Sequence, residues 1–206
     1  MKNRALCLFI VILSCVWSVT THAKTILILG DSLSAAYGMQ PEQGWVHLLK
    51  QRLNQQYPKQ HQVVNASVSG ETTSGARARL TKLIQTYQPN IVVIELGGND
   101  ALRGQPPQMI RQNLTAMVQQ SQKMKADVLI LGMKIPPNYG TAYSTAFEKN
   151  YAVVAQQSQV QLVPFFLEGV AGHNQLMQTD RIHPNAKAQP KLLDNVYPTL
   201  QKMLKK

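Results

Sequence analysis

The sequence predicts an α/β fold, a mostly parallel sheet with helices on both faces. Two observations predict it. Short runs rich in Val, Ile and Leu recur along the chain, and segments with apolar residues at helical spacing separate them. That alternation is the pattern of βαβ crossover units, in which strands are buried on both faces. The chain shows no internal repeat, low-complexity tract or long linker across its 206 residues. At 44% hydrophobic content it can close a full core as one domain, residues 24–206, without staples.

The first 23 residues stand apart from that fold. Lys2 and Arg4 make a basic start, Ala5 to Val19 is almost continuously apolar, and Thr21-His22-Ala23 ends in a small residue. This reads as a secretory signal peptide cleaved after Ala23, which places the mature chain in the periplasm or outside the cell. The apolar run falls short of the roughly 20 residues a membrane-spanning helix needs. Ile12-Leu13-Ser14-Cys15 offers an alternative, a lipoprotein signal with the lipid on Cys15. Cys7 and Cys15 are the chain's two cysteines, so cleavage at Ala23 leaves no disulfide, thiol nucleophile or thiolate metal site.

The strands are then expected in order at Ile26–Leu29, Val63–Val64, Ile91–Leu96, Val128–Met133 and Leu162–Phe166. Trp45, Leu48, Leu49 and Leu53 mark one helical face between them. Leu80, Leu83, Ile84 and Tyr87 mark the next, and Met109, Ile110, Leu114, Met117 and Val118 a third. Residues 143–159 and 186–204 complete the set. Pro106-Pro107, Pro136-Pro137 and the stretch from Gly169 to Gly172 punctuate loops.

The formal charge is +11, and removing Lys2 and Arg4 leaves +9. Lys50, Arg52, Lys59, Arg77, Arg79, Lys82, Lys123 and Lys125 are scattered, with no dense basic tract interleaved with aromatics. That distribution reads as a solvated basic surface with weak attraction to anionic lipid, and against nucleic-acid binding.

Four blocks carry candidate chemistry. Gly30-Asp31-Ser32-Leu33-Ser34 leaves the first strand, and Asn65 to Thr72 follows the second. Glu95-Leu96-Gly97-Gly98-Asn99-Asp100 ends the third, and Asp180-Arg181-Ile182-His183-Pro184-Asn185 precedes the last helix. Each has a plain structural alternative. Gly-Asp-Ser is a common turn, paired glycines supply positive φ angles, and His183 or Asp180 could cap a helix or turn. In a parallel sheet, however, the first three blocks emerge on one edge, where such folds bind ligands.

In that order the blocks resemble the SGNH, or GDSL, hydrolases. Asn65-Ala66-Ser67, Glu95 to Asp100, Leu102-Arg103-Gly104, Pro137 to Gly140 and Pro164-Phe165-Phe166 resemble its bacterial periplasmic thioesterase, protease and lysophospholipase branch with the arylesterases. The resemblance runs from about Thr25 to the last helix. It implies a flavodoxin-like three-layer α/β/α fold with a five-stranded parallel sheet in the order 2-1-3-4-5. It implies Ser32 as nucleophile, His183 as general base and then acid, and Asp180 as the residue orienting His183. The amides of Ser32 and Gly70, with the Asn99 side chain, are implied as the oxyanion hole.

The residue chemistry agrees with that assignment. A serine hydroxyl needs a base to take its proton, and a neutral imidazole suits the work. Asp180 lies three residues before His183, so one turn brings its carboxylate to the ring. The expected partner is a small acyl ester, thioester or lysophospholipid, hydrolysed by a monomer without cofactor or metal. Leu102, Met133, Ile135 and Pro136 are the candidate wall for the acyl chain, with ordinary loop packing as the alternative. Glu95 is read as supporting a loop, and Asp31 receives no catalytic role. Two other readings are a carbohydrate deacetylase of the same fold and a non-catalytic periplasmic binding protein.

Overall fold

Strand β1, Thr25–Gly30, is the spine of the sheet. Ile26, Leu27, Ile28 and Leu29 are wholly buried, which only a strand covered on both faces allows. Each such side chain contributes about 1.5–3 kcal/mol over an exposed one. The computed structural model describes residues 23–205, and the leader expected to end at Ala23, with Cys7 and Cys15, otherwise lies outside them.

The remaining elements follow in alternation. They are α1 (Trp45–Gln56), β2 (Gln62–Asn65), α2 (Thr73–Tyr87), β3 (Ile91–Glu95), the short α3 (Gly98–Leu102) and α4 (Pro107–Lys123). Then come β4 (Asp127–Leu131), α5 (Thr141–Ser158), β5 (Gln161–Val163) and α6 (Gln189–Leu204). All neighbouring strands pair in parallel, in the order β2-β1-β3-β4-β5. Helix α1 packs on α6, while α4 packs between α2 and α5, so helices cover both faces.

The helical faces read from the sequence are largely those that meet the sheet. Trp45, Leu49 and Leu53 of α1, Leu80 and Ile84 of α2, and Ile110, Leu114, Met117 and Val118 of α4 are buried. Tyr87 and Met109 were expected on those faces and are exposed: Tyr87 is the last residue of α2, and Met109 lies beside the wholly buried Ile110, one residue off the buried stripe of α4.

The last two strands are shorter than the apolar runs suggest. Gly132 donates to the Val163 carbonyl at 2.8 Å, and Phe166 donates to the Gly132 carbonyl at 2.8 Å. Between those bonds stands Pro164, which has no N–H for the ladder. A Cβ on Gly132 would lie 2.2 Å from the Pro164 carbonyl oxygen, so the two backbones meet only because residue 132 is glycine. The expected helix from Ala186 opens as a 3-10 turn, and α6 begins at Gln189.

Candidate active site

The register of the parallel ladder assembles the site. Gly30 pairs with Glu95, so the turn after β1 and the turn after β3 leave the sheet side by side. The pairing of β2 with β1 runs on past its regular strand, with Ala66 donating to Ile28 and Val68 donating to Gly30. That extension carries the Gly70 loop to the same edge. Asn65 fastens it by donating to the Ser34 carbonyl at 2.8 Å.

Ser32 opens a tight turn. Its neighbour Asp31 accepts from the Leu33 amide through Oδ1 at 3.0 Å, and the Ala35 amide donates to the Asp31 carbonyl at 2.9 Å. The Ser32 side chain lies 3.0 Å from His183 Nε2 across 151 residues of chain. His183 Nδ1 lies 2.7 Å from Asp180 Oδ2. The other oxygen of Asp180, Oδ1, accepts from the backbone amides of Ile182 and His183, both at 2.9 Å. Partial burial raises the Asp180 pKa, but these amide bonds and the His183 ring outweigh it and hold the carboxyl at about 2. Arg181 takes a left-handed φ of 60° to let the loop double back on Asp180. The Tyr37 ring lies against the imidazole, centroids 4.6 Å apart.

Asn99 and Gly70 stand on neighbouring turns. Gly97 carries a φ of 110°, and a Cβ there would meet the Tyr151 hydroxyl at 2.5 Å, so the turn into α3 requires glycine. Asn99 Nδ2 donates to Asp31 Oδ2 at 3.0 Å, leaving its second N–H for another acceptor. Gly70 has a φ of 76°, and its carbonyl accepts from Arg103 at 3.2 Å. Arg103 follows Asn99 by four residues on α3 and its C-cap, which puts both side chains on one face.

Of the four residues expected to wall the acyl chain, Met133 and Ile135 are buried in the core, Leu102 is half-buried and Pro136 is exposed. Met133 Cε approaches within 3.9 Å of where a Gly98 Cβ would stand, beside the helix that carries Asn99. Among the described residues, no three of His, Cys, Asp and Glu gather where they could hold a metal ion.

Sequence reasoning missed a buried acid pair under the serine turn. Glu95 is wholly buried, and its Oε2 accepts from Ser34 Oγ at 2.7 Å and from the Asp31 amide at 3.3 Å. Ser34 Oγ in turn accepts from the Trp45 indole at 3.2 Å. Glu95 Oε1 has no partner among the described residues. Burial, then the charge of Asp31, pushes Glu95 well above the usual carboxylate range. Burial also raises Asp31 to about 6, against the opposing pull of the Leu33 amide and His183. One signal was present: Glu95 directly follows the unbroken apolar run from Ile91 to Ile94.

This pair yields an expected pH effect on stability. A carboxyl raised in the folded state stabilises the fold below the unfolded-state pKa, and that contribution is lost as pH rises through the folded value. For Asp31 the window runs from 3.8 to about 6. Asp31→Asn removes the buried charge but misplaces one hydrogen bond. It should therefore raise stability by about 1–2 kcal/mol at pH 8 and give no gain at pH 4. Urea denaturation at both pH values measures this; equal effects at the two would show that burial of the charge is not the cause.

The match to the GDSL-like Lipase/Acylhydrolase family covers residues 28–189. The esterase TesA of Pseudomonas aeruginosa is 52% identical over 182 residues, 88% of this chain and 90% of that protein. The thioesterase 1/protease 1/lysophospholipase L1 of Escherichia coli K12 is 43% identical over 182 residues, 88% of this chain and 86% of that protein. Among solved structures, the psychrotrophic esterase EstA from Pseudoalteromonas sp., inhibited by monoethylphosphonate, superposes with a TM-score of 0.84. It is 45% identical and covers 89% of this chain and 100% of its own.

Proposed function

Because this chain belongs to the GDSL-like lipase/acylhydrolase family, we propose that Ser32, His183 and Asp180 are the residues with which it works. The protein is a carboxylic ester hydrolase, cleaving acyl esters and thioesters. The observation that carries the residue roles is the unbroken relay of contacts from Asp180 through His183 to Ser32.

Ser32 Oγ attacks the acyl carbonyl while His183 Nε2 takes its proton. Asp180 holds the opposite ring nitrogen and stabilises the imidazolium as it forms. The tetrahedral oxyanion is held by the amides of Ser32 and Gly70 and by the free N–H of Asn99. His183 then protonates the departing alcohol or thiol, and water cleaves the acyl-enzyme by the reverse path. The Asp31 carboxylate supports the Asn99 role, because it can only accept and so turns the amide nitrogen of Asn99 toward the site. The acyl chain runs beside α3, along Leu102 and Pro136 and over the buried Met133 and Ile135. An apolar wall of that kind discriminates by only about 1–3 kcal/mol per methylene, so breadth across acyl groups follows.

Localisation belongs to the same proposal: the basic and apolar leader ending at Ala23 supports export to the periplasm or beyond. The enzyme acts there as a monomer, drawn weakly to anionic lipid by its scattered cations.

The test is a rate panel over acyl length with ester and thioester leaving groups, run on the wild type and Asn99→Ala. The substitution should lower kcat by about 10²–10³ on every substrate, the usual effect of removing one oxyanion donor. A change confined to KM would remove Asn99 from the oxyanion hole.

A further inference from the structure

The loop that carries Asp180 and His183 runs from β5 to α6 without a strand or α-helix to hold it. Its own bonds close a small hairpin. Met177 bridges Pro184 in antiparallel fashion, the Gln178 amide donates to the His183 carbonyl at 2.7 Å, and the Arg181 amide donates to the Gln178 carbonyl at 3.0 Å. These contacts shape the hairpin but do not say where it lies relative to Ser32.

The side chain of Gln178 does. Its Nε2 donates to the Tyr37 carbonyl at 2.8 Å and to the Pro184 carbonyl at 3.1 Å. Both acceptors are carbonyl oxygens, so only the NH₂ end of the amide can face them. Tyr37 belongs to the serine turn, and its amide donates to the Ser32 carbonyl at 3.1 Å. Pro184 directly follows His183. One nitrogen therefore clasps the turn bearing the nucleophile to the hairpin bearing the base. The two segments lie so close that a Cβ on Gly38, whose φ is 73°, would stand 2.2 Å from Gln178 Oε1. Among the described residues, the hydrogen bonds joining residues 31–39 directly to residues 176–185 are this one and Ser32–His183 itself.

We propose that Gln178 is a positioning residue that keeps His183 within reach of Ser32, acting through the Tyr37 and Pro184 carbonyls and not on the substrate. The proposal rests on the reading of Ser32 and His183 as nucleophile and base. A nucleophile and its base must be held in near-attack geometry, and a displacement of about 1 Å costs on the order of 10²-fold in rate. The Ser32–His183 contact cannot supply that restraint alone, because the proton transfer breaks and remakes it in every turnover.

The experiment is a double-mutant cycle with an activated aryl ester. Gln178→Met keeps the volume and removes the donors. It should lower kcat by about 10- to 100-fold while moving KM less than about 3-fold. Gln178→Glu keeps the length but sets a carboxylate against two carbonyls, and should lose at least as much at pH 8. Placed on His183→Ala, Gln178→Met should change the residual rate less than about 2-fold, since the base it positions is gone. Melting temperatures read alongside report whether each variant folds, and Gln178→Glu serves if Gln178→Met does not. An undiminished kcat, or an equal loss on the His183→Ala background, would overturn the proposal. A wild-type rate in His183→Ala alone would instead overturn the assignment of the base, and the proposal with it.

Discussion

Ser32→Ala should lower kcat by about 10⁶-fold, the scale on which a serine nucleophile acts when its base can do nothing without it. The loss should appear on esters and thioesters alike, because both pass through the same acyl-enzyme. The fold should survive. The hydroxyl is only half-buried and its hydrogen bond is to His183 at 3.0 Å, so its removal costs about 1 kcal/mol. In a domain of this size that is a fall in Tm of about 2–4 °C. A fluorophosphonate should label the wild type with one equivalent and leave the variant unlabelled. A purified, folded variant that kept the wild-type rate would sink the mechanism.

Asp180→Asn should lower kcat by about 10⁴-fold, for a reason written in the local hydrogen bonds. Asp180 Oδ1 accepts two backbone amides, from Ile182 and His183. In the variant only the amide oxygen can take that position, so the NH₂ group must face His183 Nδ1. The ring then accepts at Nδ1 and carries its proton on Nε2, the nitrogen that faces Ser32. A base with its proton already on the working nitrogen cannot take another. Asp180→Ala lacks the carboxylate but leaves the ring free to choose its tautomer, so it should retain more activity than the isosteric variant. Comparing kcat for the two on one ester decides it; an Asp180→Asn enzyme within 10-fold of wild type would remove Asp180 from the relay. The lowered pKa also has a sign. A carboxyl depressed to about 2 stabilises the fold above its unfolded value of 3.8, and that contribution is lost as pH falls through about 2. The Asp180 carboxylate therefore remains charged throughout the range in which an imidazole can act as base.

Much of this site is legible before any coordinates. An apolar run ending in Gly30-Asp31-Ser32 marks a serine at a strand exit. The spacing of Asp180 and His183 lets them meet within one turn, and Gly97-Gly98-Asn99 marks a turn needing a left-handed angle. These features are local, and local patterns survive folding wherever the backbone obeys its own propensities. The acid pair was not legible, since Asp31 and Glu95 stand 64 residues apart and meet only through the Gly30–Glu95 register. Gln178 was not legible either; a lone glutamine in an irregular loop carries no period and no motif. Met133 and Ile135 show the same limit, because their place after a strand does not reveal that both are buried in the core.

The sequence by itself thus determined the order of the strands and helices along the chain, the turns at the strand ends, and which residues could do chemistry there. Those follow from periodicity and backbone preference, which act within a few residues. Tertiary structure alone decided how far Ser32 lies from His183, where the Asn99 amide points, and that Glu95 is buried against Asp31. Each of these depends on desolvation or on contacts between distant segments, and both arise only when the sheet closes and water leaves.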